Sequence, residues 1–199
     1  MGHHLDRALI LFEQARYDLV ERELREEFAA DPENPTGHAL FALCLAERQL
    51  HPEALREAEL AVHLDPDLAL AHYARASVLQ DQDRLDEAQK AIAEAIRLDS
   101  GQANYYAQLA SIRFDQGRWP EALEAANQGL AIDPQHVLCA NFRAMALLKL
   151  GRRQEAGDAL GRALARDPEN AVTQANRGWA YLYQGDYGSA AEHFSQALP

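Results

Sequence analysis

The chain has 199 residues, 48% hydrophobic and 25% charged, with a formal net charge of −12 and two cysteines. That is the composition of a globular protein with a sizeable interior, and it argues against nucleic-acid binding, which relies on basic stripes to displace counterions. No apolar run reaches the roughly 18–20 residues of a membrane span, no secretory leader is visible, and the expected compartment is the cytoplasm.

An Asp returns every 34 residues, as Asp31, Asp65, Asp99, Asp133 and Asp167, and Pro32, Pro66, Pro134 and Pro168 follow four of them. A period of this length along the whole chain predicts stacked helix–turn–helix units rather than one central core. The units are 1–34, 35–68, 69–102, 103–136, 137–170 and a shortened 171–199, with helices expected at about positions 3–14 and 18–30 of each row.

Taken in order, the first unit carries Ala8 on its first helix and Val20 on its second. Asn34, before Pro35, is expected to be the N-cap of the second unit's first helix. In that unit Phe41, Ala42, Leu45 and then Ala54, Ala58, Ala61, Val62 keep the i, i+3, i+4, i+7 spacing of a helix. Pro52 is expected at the first position of the second helix, and Glu53 in the first turn, where the helix dipole favours an acid. The third unit repeats Ala76, Leu79, Glu87 and Ala88. The fourth has Ala110, Gly117 at the turn and Pro120-Glu121-Ala122, with Arg113 where an apolar residue is expected. The fifth has Ala144, Leu147, Gly151, Glu155 and Ala156. The sixth, opening after Asn170, has Gly178, Tyr181, Gly185, Ala190 and Phe194. Small residues at two fixed places let paired helices approach closely, and larger ones there would overpack. Because the sequence stops at Pro199 inside a second helix, an end-to-end contact through the sixth unit, or further protein beyond it, is expected.

The runs Leu109-Ala110, Phe114, Gly117-Arg118-Trp119-Pro120-Glu121-Ala122 and Ala131-Ile132-Asp133-Pro134 resemble a tetratricopeptide repeat. So do Asn176-Arg177-Gly178-Trp179-Ala180-Tyr181 and Gly185-Asp186-Tyr187. The likeness covers essentially the whole chain and is weakest in the first row, at Val20 and Glu27. It implies an all-α fold, a right-handed superhelical solenoid of about six repeats, with first helices lining a concave groove that binds a segment of a partner protein. The function it implies is a non-catalytic interaction scaffold, or alternatively the partner- or substrate-recruiting region of a larger enzyme or membrane-anchored assembly.

No phosphate loop, H-E-x-x-H, paired metal-spaced cysteines or G-x-S-x-G occurs, so no catalytic residue, metal or cofactor is assigned. Cys44 and Cys139 lie three repeats apart, too far for a disulfide. His4, His38 and His72 share a column, but packed helices about 10 Å apart would separate them beyond a shared metal. Arg7, Arg75, Arg143 and Arg177 share another and are expected to form ion pairs between repeats.

The candidate site is the groove. Residues 1–100 carry 10 basic and 21 acidic groups against 9 and 10 in residues 101–199, an asymmetry that points to an interaction surface. Glu13, Glu47, Asp81 and Asp115 fall in one column, followed by Lys149 and Tyr183. Two readings stay open: a solvated acidic face, or a surface that attracts a basic partner segment and sets its direction. Tyr73, Asn104, Asn141, Met145, Asn176 and Trp179 add aromatic and amide groups. An amide can pair with both the N–H and C=O of an extended peptide, and aromatics and Met are enriched where partners anchor.

Overall fold

The structure is a computed structural model. It describes residues 3–14, 16–164 and 171–197, apart from the side chains of Glu13 and of residues 161–164, 171–172 and 183–184. Asp167, Pro168, Asn170 and Pro199 therefore lie outside the described residues.

Two compact units divide the chain, Met1–Ser100 and Gly101–Pro199. The first holds α1 (His3–Glu13), α2 (Tyr17–Ala30), α3 (Pro35–Glu47), α4 (His51–Leu64), α5 (Ala69–Asp81) and α6 (Leu85–Leu98). The second holds α7 (Ala103–Asp115), α8 (Trp119–Ile132), α9 (Val137–Lys149), α10 (Arg153–Leu164), α11 (Ala171–Gln184) and α12 (Tyr187–Gln196). From α3 onward each first helix starts at the first position of its row, two residues earlier than the apolar spacing predicts. The cause is the residue before it, which is extended at Asn34, Leu68, Gln102 and His136. Asn34 is an N-cap as expected, its side chain accepting from Gly37 N at 2.9 Å. Pro52 and Pro120 sit one place later than expected, at the second helical position, because α4 and α8 begin at His51 and Trp119.

The recurring aspartate closes the second helix. The backbone N–H of Asp31, Asp65, Asp99 and Asp133 donates to the carbonyl four residues earlier, at 2.7–3.0 Å. Asp65 and Asp133 then accept from the N–H two residues on, at 3.0 and 2.8 Å. This Asx turn leads the chain into the next first helix.

The turn inside each pair is equally regular. Gly117, Gly151 and Gly185 have φ of 73°, 76° and 83°, the left-handed backbone that glycine adopts without strain. Gln49 and Asp83 hold the same column at 61° and 59° without being glycine. A backbone bond between residues five apart closes every one of the six turns, from Arg16 N to Leu11 O through Asp186 N to Tyr181 O, at 2.8–3.0 Å. It satisfies a carbonyl that the helix end would leave open.

Packing follows from the small columns. Ala8, Ala42, Ala76, Ala110 and Ala144 are fully buried, and so are Val20, Ala54, Ala88, Ala122 and Ala156. A Cβ on Gly178 would lie 2.8 Å from the Phe194 ring, so glycine replaces alanine there because the ring fills the space. Within each unit a first helix packs on its own second helix, on the next first helix, and the second helix packs on the next first helix. Among the described residues, second helices do not pack on one another. The first helices thus make one continuous layer in each unit.

Two polar columns resolve differently from one another. His4 and His38 meet Glu23 and Glu57 across their own helix pairs at 2.8 and 2.6 Å. His38 and His72 also meet the Pro32 and Pro66 carbonyls at 3.0 and 2.8 Å. Each histidine is a local fastener, and no group of three or more metal-binding side chains occurs among the described residues. Among the described residues, the arginine column forms none of the ion pairs expected between repeats. Arg7 reaches Glu23 of its own pair at 3.5 Å, because both lie on facing sides of α1 and α2. Arg177 donates to the Gly157 carbonyl and to Tyr181 Oη instead. Contacts between repeats come instead from Arg48, which holds Glu21 at 2.6 Å, and from His51, 3.9 Å from Asp81. Cys44 and Cys139 are free and buried, and burial pushes both thiols up to about 12.

Candidate functional site

In the first unit the first-helix layer exposes Glu47 at the end of α3 and Asp81 at the end of α5. Both carboxylates occupy the last helical position, so they project where the layer gives way to the turn. Asp81 lies 3.9 Å from His51 Nδ1 at the start of α4. Burial pushes its carboxyl up, and His51 opposes that shift. Glu47 influences two phenols, Tyr17 and Tyr73. Burial is the main cause that raises both, and the Glu47 charge adds to it. Glu47 is thus an exposed carboxylate whose charge reaches two half-buried phenols. Phe12 packs edge-on to Tyr17 with ring centres 5.8 Å apart, extending that aromatic surface. The side chain of Glu13, in the same column, lies outside the described residues.

In the second unit the layer of α7, α9 and α11 forms an open pocket of about 260 Å³ lined by Phe114, Met145, Leu148, Lys149, Asn176 and Trp179. Helical spacing brings them together: Met145, Leu148 and Lys149 share one face of α9, and Asn176 and Trp179 sit three apart on α11. Trp179 is 49% exposed. Its ring stands edge-on to Phe194 at 5.3 Å, so Phe194 supports the pocket's wall. Asn176 is only 7% exposed, and its Nδ2 donates to no group among the described residues. Lys149 is exposed at the rim.

Other candidate residues stand apart from this pocket. Asn141 is 2% exposed, with neither amide atom partnered among the described residues, and it does not line the pocket. Asn104 is exposed at the start of α7, where its Oδ1 meets His136 Nε2 at 2.7 Å. Burial lowers the His136 pKa, with Asp133 opposing it, and Nδ1 accepts from Cys139 N at 3.3 Å, which leaves the Nε2–H to donate to Asn104. Asp115 is exposed at the end of α7 and outside the pocket lining. The side chain of Tyr183 lies outside the described residues.

Sequence reasoning missed Tyr17 and His51. Both stand at the start of a second helix, a place taken for turn chemistry, yet each faces an acid of the exposed column. The recurring 19-residue separation of His4 from Glu23 and of His38 from Glu57 was the available sign of the histidine fasteners.

A family model described as tetratricopeptide repeat matches residues 73–137 and 143–199. No curated protein matches. Among solved structures, a thermophilic repeat protein of Thermus thermophilus superposes with a TM-score of 0.78 at 18% identity, over 90% of this chain and 97% of that one. Pseudomonas aeruginosa PilF gives 0.76 at 18% identity, over 96% and 86%. YrrB, described as having an unusual peptide-binding site, gives 0.62 at 20% identity, over 87% and 90%. At these identities the likeness is one of fold.

Proposed function

The chain belongs to the tetratricopeptide-repeat family, and on that premise we propose that it is a non-catalytic interaction domain holding a partner protein's segment against its first helices. Repeats of this family generally mediate protein–protein contacts, and no catalytic domain is identified. No helix among the described residues is long and apolar enough to cross a membrane.

One observation carries the reading in the first unit: Glu47 and Asp81 occupy the same exposed place on successive first helices, with Tyr17 and Tyr73 near Glu47. A basic segment supplies what this surface lacks. Its lysine or arginine would meet the carboxylates and lie against phenol faces, where a cation gains a further attraction of about 0.5–1 kcal/mol at exposed sites. The surplus of acids over residues 1–100 steers such a segment toward the surface.

The test is titration with a lysine-rich and a glutamate-rich peptide at low and high salt, against the wild type and the Glu47→Lys/Asp81→Lys variant. The expected result is salt-sensitive binding of the lysine-rich peptide that the variant weakens about ten-fold or more. Binding left unchanged by the variant makes the column a solvated face and overturns the proposal.

A further inference from the structure

In the first unit, Ile10 on α1 is 55% exposed. The same column holds Cys44, Val78, Ala146 and Ala180 on α3, α5, α9 and α11, and none of these is more than 1% exposed. What covers each of them is the second helix of the preceding repeat, which packs on that first helix. Cys44 shares an apolar cluster with Val20 and Leu24 of α2, Val78 with Ala54 of α4, and Ala180 with Ala156 and Leu160 of α10. Two of these arriving helices set apolar residues four apart, on one face. The side of α1 around Ile10 is therefore shaped to receive a helix.

There α1 and α2 line a cleft of about 520 Å³. Leu11 and Leu19 join Ile10 as its apolar floor, and Arg7, Arg16 and Arg22 bring three guanidinium groups. Residues 1–100 hold 10 basic groups against 21 acids, so a lining with three bases and one acid opposes the charge of the rest of the unit. That acid, Glu23, is met by His4 at 2.8 Å and by Arg7 at 3.5 Å. Arg16 and Arg22 are exposed and make no ion pair among the described residues. Joints between repeats already set a base of the receiving repeat against the arriving helix. Arg48 holds Glu21 of α2 at 2.6 Å, and Arg177, in the Arg7 column, donates to the Gly157 carbonyl of α10.

We propose that the Ile10 face of α1 and α2 docks an acidic amphipathic helix of a partner protein, with its apolar stripe on Ile10, Leu11 and Leu19 and its carboxylates on Arg16 and Arg22. Exposed ion pairs alone hold partners weakly, so the stripe supplies the affinity and the arginines select the sign of the partner. Arginine suits that task because its fork meets a carboxylate with two hydrogen bonds. This face shares no residue with the Glu47–Asp81 surface, which calls for a basic segment, and it stands whether or not that reading does.

The test uses acetylated, amidated peptides of about 20 residues, long enough to hold a helix. One carries leucine and alanine four apart among glutamates, a second has lysines for the glutamates, and a third has serine for the apolar stripe. Calorimetry on the full chain reads affinity, and the Ile10 methyl signal in NMR reads the place. The glutamate helix is expected to bind and to move the Ile10 signal, and its serine version to bind about ten-fold more weakly. Arg16→Glu/Arg22→Glu, at two exposed positions, should weaken the glutamate helix about ten-fold and bring the lysine helix to Ile10. Arg16→Gln/Arg22→Gln, which removes charge without adding any, should fall between. An Ile10 signal unmoved by the glutamate helix, equal binding of the serine version, or binding unchanged by both arginine variants overturns the proposal. So does a chain that sediments as a dimer and becomes a monomer in Ile10→Glu, which would give the face to a second copy. If the lysine helix binds through Glu47 and Asp81 while Ile10 stays silent to the glutamate helix, only this inference falls.

Discussion

His38 is held at both ring nitrogens: Nδ1 lies 2.6 Å from Glu57 Oε2 and Nε2 lies 3.0 Å from the Pro32 carbonyl. Both partners accept, so only the imidazolium, which donates from both nitrogens, satisfies the pair. The Glu57 bond is the first cause holding the His38 pKa above its ordinary 6.5, with burial opposing it. A histidine whose folded pKa is raised adds stability that is full below the unfolded value and is lost as pH rises through the folded one. The melting temperature should therefore decline as pH climbs above about 6.5. In Glu57→Gln the amide can donate to a neutral ring, so the decline should flatten and the His38 titration seen by NMR should move down. An unchanged titration would show that Glu57 does not govern this ring. The sixth pair has an amide rather than a carboxylate at this 19-residue separation, with Gln174 Oε1 2.6 Å from His193 Nδ1.

Gln49 adopts φ of 61° where three other repeats use glycine. A side chain in the left-handed region costs about 1–2 kcal/mol, and glycine's greater freedom in the unfolded chain returns part of that. Gln49→Gly should stabilise by about 0.5–1 kcal/mol, read as a higher midpoint in urea with an unchanged slope. A lower midpoint would mean that the Gln49 side chain earns its place by contacts.

Ala122 is fully buried where α8 meets α7. Ala122→Glu adds four heavy atoms and a charge at a close helix contact, with a cost of about 3 kcal/mol or more once overpacking and desolvation combine. Loss of helical circular dichroism or a sharp fall in melting temperature is expected. A variant that melts like the wild type would contradict the position of this column.

Gly178 opposes Phe194 so closely that an added Cβ would stand 2.8 Å from the ring. Alanine favours a helix by up to about 1 kcal/mol over glycine, but moving the ring costs about 1–3 kcal/mol, so the clash wins. Gly178→Ala should destabilise, and because Phe194 supports Trp179 it should also shift Trp179 fluorescence. Phe194→Leu added to Gly178→Ala should restore part of the loss. No restoration would place the cost elsewhere.

The layout of helices was legible because few side chains satisfy its constraints. Only a small residue fits between paired helices at Ala42 and Ala54, and glycine marks the turn at Gly117, Gly151 and Gly185. Gln49 and Asp83 gave no such mark; there the left-handed turn is set by the backbone bonds from Leu50 N to Leu45 O and from Arg84 N to Leu79 O. For the second unit, register alone brought Met145, Lys149, Asn176 and Trp179 onto one face. Depth was not legible. Asn104, Asn141 and Asn176 are one residue type, yet the first is exposed and the other two are buried. Nor was pairing: His51 meets Asp81 and Arg48 meets Glu21 across about 30 residues, because each contact joins successive repeats.

Because each turn is closed by the same backbone bond and α2, α4, α6 and α8 end on Asp31, Asp65, Asp99 and Asp133, repeats within a unit meet through interchangeable joints. Excising residues 35–68 would bring Asn34 up against Ala69 and replace one joint with another of the same form. Loss or duplication of a whole 34-residue block would therefore preserve the form of each joint. Insertion of a single residue within a helix would instead rotate every later side chain of that helix off its face.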